Sequence, residues 1–211
     1  MPVEGHPAYE RKLRAVSAYL DGERLRPSSE GRRVSSRNGQ PRVDAGPFGE
    51  RALSGDYVLE AEGLDAAVKL AEECPRSPGA ELGVRPLMKG TLEPDKTSHR
   101  GRVFAFAVLG SAPSEQGWID VMDRIDENTR GHFSSERFLA GVRLEAPGRG
   151  RRVASTGGRR AVFDGPFLES KEVIGGLFFM RMASLDEAVE WAIQSAFVEH
   201  GALEIRELWR S

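Results

Sequence analysis

Two residues of this chain have the chemistry of an acid–base pair, His132 and Asp164. A histidine turned toward a protein interior titrates near neutral pH, and a carboxylate beside it can orient the ring or act as a base. Together they suit proton transfer, elimination or hydrolysis of a small molecule. Each also has a plainer reading. Asp164 opens Asp-Gly-Pro, where the aspartate accepts local backbone N–H groups, the glycine takes an unusual φ and the proline fixes the exit; this turn reading is preferred for the residue alone. A lone inward histidine is more often satisfied by one backbone carbonyl, and that is the preferred reading of His132 alone. The four histidines (His6, His99, His132, His200) lie far apart and lack the short spacings that metals require, so no metal or cofactor is expected. No G-x-S-x-G, P-loop or dinucleotide fingerprint occurs.

The elements that must position the pair come in two copies. Aligning Gly22–Glu50 with Gly141–Glu169 at an offset of 119 makes 14 of 29 positions identical, among them Gly31, Arg32, Arg33, Val34, Gly46, Pro47 and Phe48. After a two-residue length difference the match resumes at an offset of 121, where Leu64-Asp65 meets Leu185-Asp186 and Val84-Arg85 meets Ile205-Arg206. That period is too long for a solenoid and indicates a duplicated domain, which normally buries the surface its single-copy ancestor used to dimerise. His132 falls opposite Leu13, an apolar face position of a helix, so its ring is expected to point inward. Asp164 falls opposite Ala45, with Asp44 one residue away. The first copy therefore looks degenerate, leaving one site per chain. Arg206 and Arg85 recur in both copies; a structural salt bridge is their default role and anion binding the alternative.

In the second copy, Val103–Leu109 reads as a central strand, and Trp118, Val121, Met122 and Ile125 recur at helical spacing. The spacing extends that helix to Leu139, with Gly141 ending it and Val142–Leu144 opening a strand. Arg151–Ser155 and Ala161–Phe163 form a hairpin around Gly157-Gly158, as Asn38-Gly39 does in the first copy. Val173–Met182 is the next strand, with Phe178 and Met180 on one face and Phe179 and Arg181 on the other. Ser184-Leu185-Asp186-Glu187 is a capping box, and Ala202–Leu208 closes the copy. The order suits an α+β sandwich of one antiparallel sheet with two helices on one face. The first copy repeats it, with helices over Tyr9–Leu20 and Leu64–Ala71, but shows no counterpart of Val103–Leu109. That strand is expected from another segment or protomer, or from sequence upstream of Met1. The polar stretch Lys89–Arg102 reads as a linker, giving modules at 1–88 and 101–211 with a linker at 89–100.

The stretch FDGPFLESKEVIGGLFFMRMASLDEAVEWA, followed by GALEIREL, closely resembles the YCII-related family, specifically its DGPF-domain branch. The resemblance covers Gly101–Leu208 well and Ala8–Leu87 more weakly, through AGPFGE and LGVRPL. It implies ferredoxin-like α+β modules that pair into a dimeric α+β barrel, here as an intramolecular pseudo-dimer. For activity it implies little. Some relatives look like small enzymes with a His–Asp pair, their histidine falling where this chain has Arg130. Many other members have no assigned activity, and some are encoded beside or fused to transcription sigma factors, so the alternative expectation is a non-catalytic ligand-binding or regulatory module. On this resemblance Phe167, Lys171 and Arg206 are the candidate ligand-binding residues beside His132 and Asp164.

Composition narrows the partners. With 30 basic against 32 acidic residues the net charge is −2, which gives no global pull toward nucleic acid or anionic membrane. The basic run Arg143–Arg160 lacks interleaved aromatics and reads as a solvated hairpin. The single cysteine, Cys74, excludes an intramolecular disulfide and argues for a reducing, cytoplasmic setting. No apolar run of membrane-spanning length occurs, and Met1–His6 does not read as a signal peptide. The expected partner is a small molecule, with room for a further homodimer.

Overall fold

A computed structural model describes residues 5–48, 53–77, 79–92, 102–110, 115–129, 136–156, 159–165, 173–199 and 201–209. The first half runs α1 (His6–Ala15), β1 (Tyr19–Arg24), β2 (Arg32–Arg37), β3 (Gln40–Ala45), β4 (Gly55–Leu59), α2 (Leu64–Glu73) and β5 (Leu82–Val84), followed by β6 (Leu87–Thr91). The second half runs β7 (Arg102–Gly110), α3 (Glu115–Thr129), β8 (Phe138–Leu144), β9 (Arg151–Thr156), β10 (Arg159–Asp164), β11 (Val173–Met182), α4 (Leu185–Gln194) and β12 (Ala202–Glu207). From its first helix onward each half repeats helix, strand, hairpin, strand, helix, strand.

Local chemistry sets the tight turns and caps. Asn38 and Gly39 both adopt left-handed backbone, φ 52° and 74°, the pair of conformations that a two-residue hairpin of matching twist requires. Ser184 caps α4 by accepting from the Glu187 N–H at 3.1 Å, while the Glu187 carboxylate accepts from the Ala183 N–H at 2.5 Å.

The strands form a seven-stranded sheet in the order β3-β2-β12-β7-β11-β8-β6, a three-stranded sheet β10-β9-β5 and a two-stranded sheet β1-β4. Hairpins cross between the halves. The first half's β2 pairs with β12 (Val34↔Leu203), and the second half's β9 pairs with β5 (Val153↔Leu82). One face of the central strands packs on α3 and α4. There Phe178 stacks on Phe106 at 4.8 Å and on Phe197 at 4.9 Å, and Trp118, Met122, Ala188 and Ala192 close the cluster. Each such aromatic pair contributes about 0.5–1.5 kcal/mol beyond its buried area. The opposite face carries Val103, Ala105, Ala107, Leu177 and Phe179, which meet Leu25 and Val58 of the first half. Small alanines on this side let the two sheets approach, so the second half is covered on both faces. That double cover explains why β7 is apolar from Val103 to Leu109.

Four expectations are corrected. The helix expected to reach Leu139 has Thr129 as its last described residue, and Phe138–Leu144 is strand β8. Likewise α1 stops at Ala15, and Tyr19-Leu20 begin β1 rather than ending a helix. The paired apolar residues at 19–20 and 138–139 fit either period, and partnering across the sheet decides. Gly141 is no helix cap. It lies within β8, where a side chain would meet Phe178 at 3.1 Å and the Phe138 ring at 3.2 Å. Finally, the start of the polar linker is strand: Lys89, Gly90 and Thr91 pair with Arg143, Val142 and Gly141 at the edge of the large sheet.

Candidate functional site

Asp164 is the last residue of β10, directly opposite Arg151 on β9. Arg151 Nε donates to its carboxylate at 2.6 Å, and a second guanidinium nitrogen donates to Asp65 in the first turn of α2. One arginine of the second half thus ties its own turn to the helix of the first. The Asp164 side chain is 88% exposed, and its hydrogen bond with Arg151, together with that from Arg151 to Asp65, raises the Arg151 pKa. After it Gly165 takes φ 78°, and its N–H donates to the Gly150 carbonyl at 3.2 Å, the local geometry of turn chemistry. His132, Phe167 and Lys171 lie outside the described residues. Leu13, the residue opposite His132, is fully buried on α1.

Arg206 is 3% exposed on β12. Its Nε donates to the Arg26 carbonyl at 2.7 Å, and another nitrogen donates to Glu204 at 3.0 Å. Glu204 also accepts from Arg33 of β2 at 3.0 Å. Burial lowers the Arg206 pKa, and the Glu204 carboxylate opposes that shift. Arg85 does the same work from the other side. Its guanidinium donates to the carbonyls of Glu145 and Ile174 and lies 5.0 Å over the Trp118 ring. Burial pulls Arg85 down to about 10, against the pull of Glu145. Arg26 and Glu145 are themselves 119 residues apart, so each half sends one arginine to the same carbonyl of the other.

Two clefts open beside these groups. An open one of about 490 Å³ lies at the start of α2, lined by Glu62–Ala66, Lys69 and Arg151. A small one of about 50 Å³ lies at the start of α4 and is walled by Arg102 and Phe104 of β7, with Arg206 and Glu207. The larger carries both charge signs and no histidine, cysteine or serine. It suits a polar or zwitterionic ligand held by hydrogen bonds. Reading the sequence missed Arg151, grouped with the solvated cations of its hairpin. Its one signal is identity with Arg32 in the other copy. Three other basic residues of that run are paired too: Arg143 with Asp123, Arg149 with Glu115 and Arg152 with Glu81.

In the first half, His6 Nδ1 and the Tyr57 hydroxyl are 2.6 Å apart and the two rings stack at 5.9 Å. Tyr9 and Tyr19 meet Tyr57 edge-on. Burial lowers the His6 pKa, helped by the Arg24 charge and opposed by Glu10. Burial also pushes the Tyr19 phenol up to about 12 and the Cys74 thiol up to about 11.

Among the described residues no group of three or more His, Cys, Asp or Glu could hold a metal ion, and no helix is long and apolar enough to cross a membrane. No curated protein matches the chain. Residues 115–211 match the family model of the YCII-related domain, which supports that family for the second half of the chain.

Proposed function

We propose that this protein is a tandem DGPF-branch member of the YCII-related family whose halves pair as an intramolecular α+β barrel, and that it binds a small polar ligand without turning it over. The observation behind the non-catalytic reading is the engagement of Asp164 by Arg151, which also holds Asp65. A carboxylate spent on stitching a turn to a neighbouring helix is placed for structure. Arg206 is likewise spent on the Arg26 carbonyl and Glu204. The pseudo-dimer is supported by the repeated element order, by the reciprocal hairpin pairings and by the strand order β12-β7-β11-β8, which is that of a ferredoxin-like unit. The ligand enters the open cleft at the start of α2, where Lys69 and Arg151 meet Glu62 and Asp65. The lone buried cysteine keeps the reading cytoplasmic.

A second reading keeps His132 and Asp164 as the acid–base pair of a small-molecule enzyme, with Phe167 and Lys171 as ligand contacts. The exposure of Asp164 favours it, since a solute can reach the carboxylate. The test is a thermal-shift screen for a ligand, followed by Asp164→Asn and His132→Gln. The binding reading expects Asp164→Asn to keep the ligand-induced shift and to lose less than about 1 kcal/mol of stability, as exposed pairs do. Turnover of a confirmed substrate, abolished by both substitutions at unchanged Tm, overturns it.

A further inference from the structure

In the second half, β11 and β12 are both hydrogen-bonded to β7, which lies between them. Their counterparts in the first half are β4 and β5, and among the described residues no strand joins these two. β4 pairs with β1, and β5 pairs with β9. One helical layer nevertheless covers both. Tyr57 and Leu59 of β4 and Leu82 of β5 pack on a single cluster with Tyr9, Leu13 and Cys74. Two strand edges under one roof of helices form a template for an added strand.

We propose that the first half accepts an extended strand between β4 and β5, antiparallel to both, from a polypeptide partner that alternates bulky and small apolar residues. The proposal rests on the correspondence of the two halves argued above. It is specific because β7 fills the equivalent place and defines the occupant. Val108 lies between Gly176 and Leu203, Ala107 between Leu177 and Glu204, and Phe106 between Phe178 and Ile205. Carried over at the offset of 121, the register sets a β-branched residue between Gly55 and Leu82. A small residue follows between Asp56 and Gly83, and an aromatic one between Tyr57 and Val84.

The faces agree with this register. Tyr57 lies on the helix side, as Phe178 does, and Val58 lies between the sheets, as Phe179 does. Small residues are needed on the inner side because Val58 and Leu25 already reach Ala105 and Ala107 there. The aromatic place also has a present tenant. Phe106 stacks on Phe178, whereas Tyr57 is stacked by His6 from the first turn of α1, with rings 20° from parallel. An incoming aromatic residue takes the place of that partly buried ring.

The test adds to the full chain a synthetic peptide of the Arg102–Gly110 sequence, with terminal lysines for solubility, and follows amide exchange and Tm. The expected result is one-to-one binding that slows exchange at Gly55–Leu59 and Leu82–Val84 by about tenfold or more and raises Tm. A scrambled peptide should do neither, and His6→Ala should bind the cognate peptide more tightly. Exposed amides that ignore saturating peptide overturn the slot while leaving the correspondence of the halves intact. Amides already as protected as those of β11 and β12 without peptide mean that β4 and β5 are joined, and overturn both. Protection that grows with protein concentration alone assigns the slot to a second copy and overturns the partner assignment.

Discussion

Arg206→Met separates a structural role for this arginine from a ligand-binding one. Arg206 and Glu204 are each about 4% exposed in their side chains and 3.0 Å apart, and Arg206 Nε also satisfies the Arg26 carbonyl at 2.7 Å. Breaking a buried pair costs about 3–5 kcal/mol because the remaining charge stays desolvated. An orphaned carbonyl adds about 1–3 kcal/mol when it is fully buried. Two features pull the total to the low end. Arg33 still bonds Glu204 at 3.0 Å, and the methionine stem replaces most of the lost packing. The expected loss is about 3 kcal/mol, or roughly 6–12 °C in Tm at 2–4 °C per kcal/mol for a chain of this size. Urea unfolding should show a lower midpoint at unchanged slope. The double variant Arg206→Met with Glu204→Leu should recover much of the loss, since an apolar pair of similar volume carries no stranded charge. A single variant that loses less than about 1 kcal/mol but no longer binds the ligand found by screening would refute this reasoning and return Arg206 to the binding site.

Smaller perturbations test the local devices. Ser184→Ala removes the acceptor for the Glu187 N–H and should cost about 1 kcal/mol, read as a drop in Tm. Gly39→Ala forces a Cβ onto left-handed backbone at φ 74° with nothing within 4 Å to clash, so the cost is conformational alone, about 1–2 kcal/mol. His6 has a folded pKa below its ordinary value of 6.5, so the unfolded chain binds more protons as pH falls. The His6 contribution is therefore complete above pH 6.5 and declines as pH drops through the folded value, and His6→Asn should flatten the fall in Tm between about pH 7 and 5. Cys74 has the opposite sense. Its thiol is raised to about 11, so its share of stability is lost as pH climbs from the ordinary thiol range through that value, which Cys74→Ala should remove from the alkaline limb.

Short-range chemistry was legible in the sequence. Asn38-Gly39 joins β2 and β3 where the turn residues said it would, Thr156 pairs with Arg159 on either side of the second expected turn, and Ser184 caps the helix its box announced. Strand β11 has the bounds its apolar run indicated. The start of β8 was hidden because Phe138 and Leu139 continue a helical spacing, and Gly141 mimics a cap. Its contact with Phe178 comes from another strand and leaves no local trace. The pairing of Arg33 with Glu204, 171 residues apart, was equally invisible, since no neighbouring residue encodes it. For the candidate site, the sequence singled out Asp164 and Arg206 but not the partners that hold them. The bonds of Arg151 to Asp65 and of Arg206 to the Arg26 carbonyl form only when the two halves are folded together.

The exchange of hairpins sets an order on synthesis. Hairpin β2–β3 can close as soon as it is made, yet its outer partner, β12, follows every other described strand in the chain. Until then β2 presents an open edge with Val34 uncovered, although in the finished sheet that residue is fully buried. Chains dominated by such distant pairings fold slowly, and exposed edges are where nascent chains misassociate. A ribosome pause before Ala202 therefore leaves the hairpin free to pair with the late strand of a neighbouring chain. The same ladder then links two molecules instead of the two halves of one.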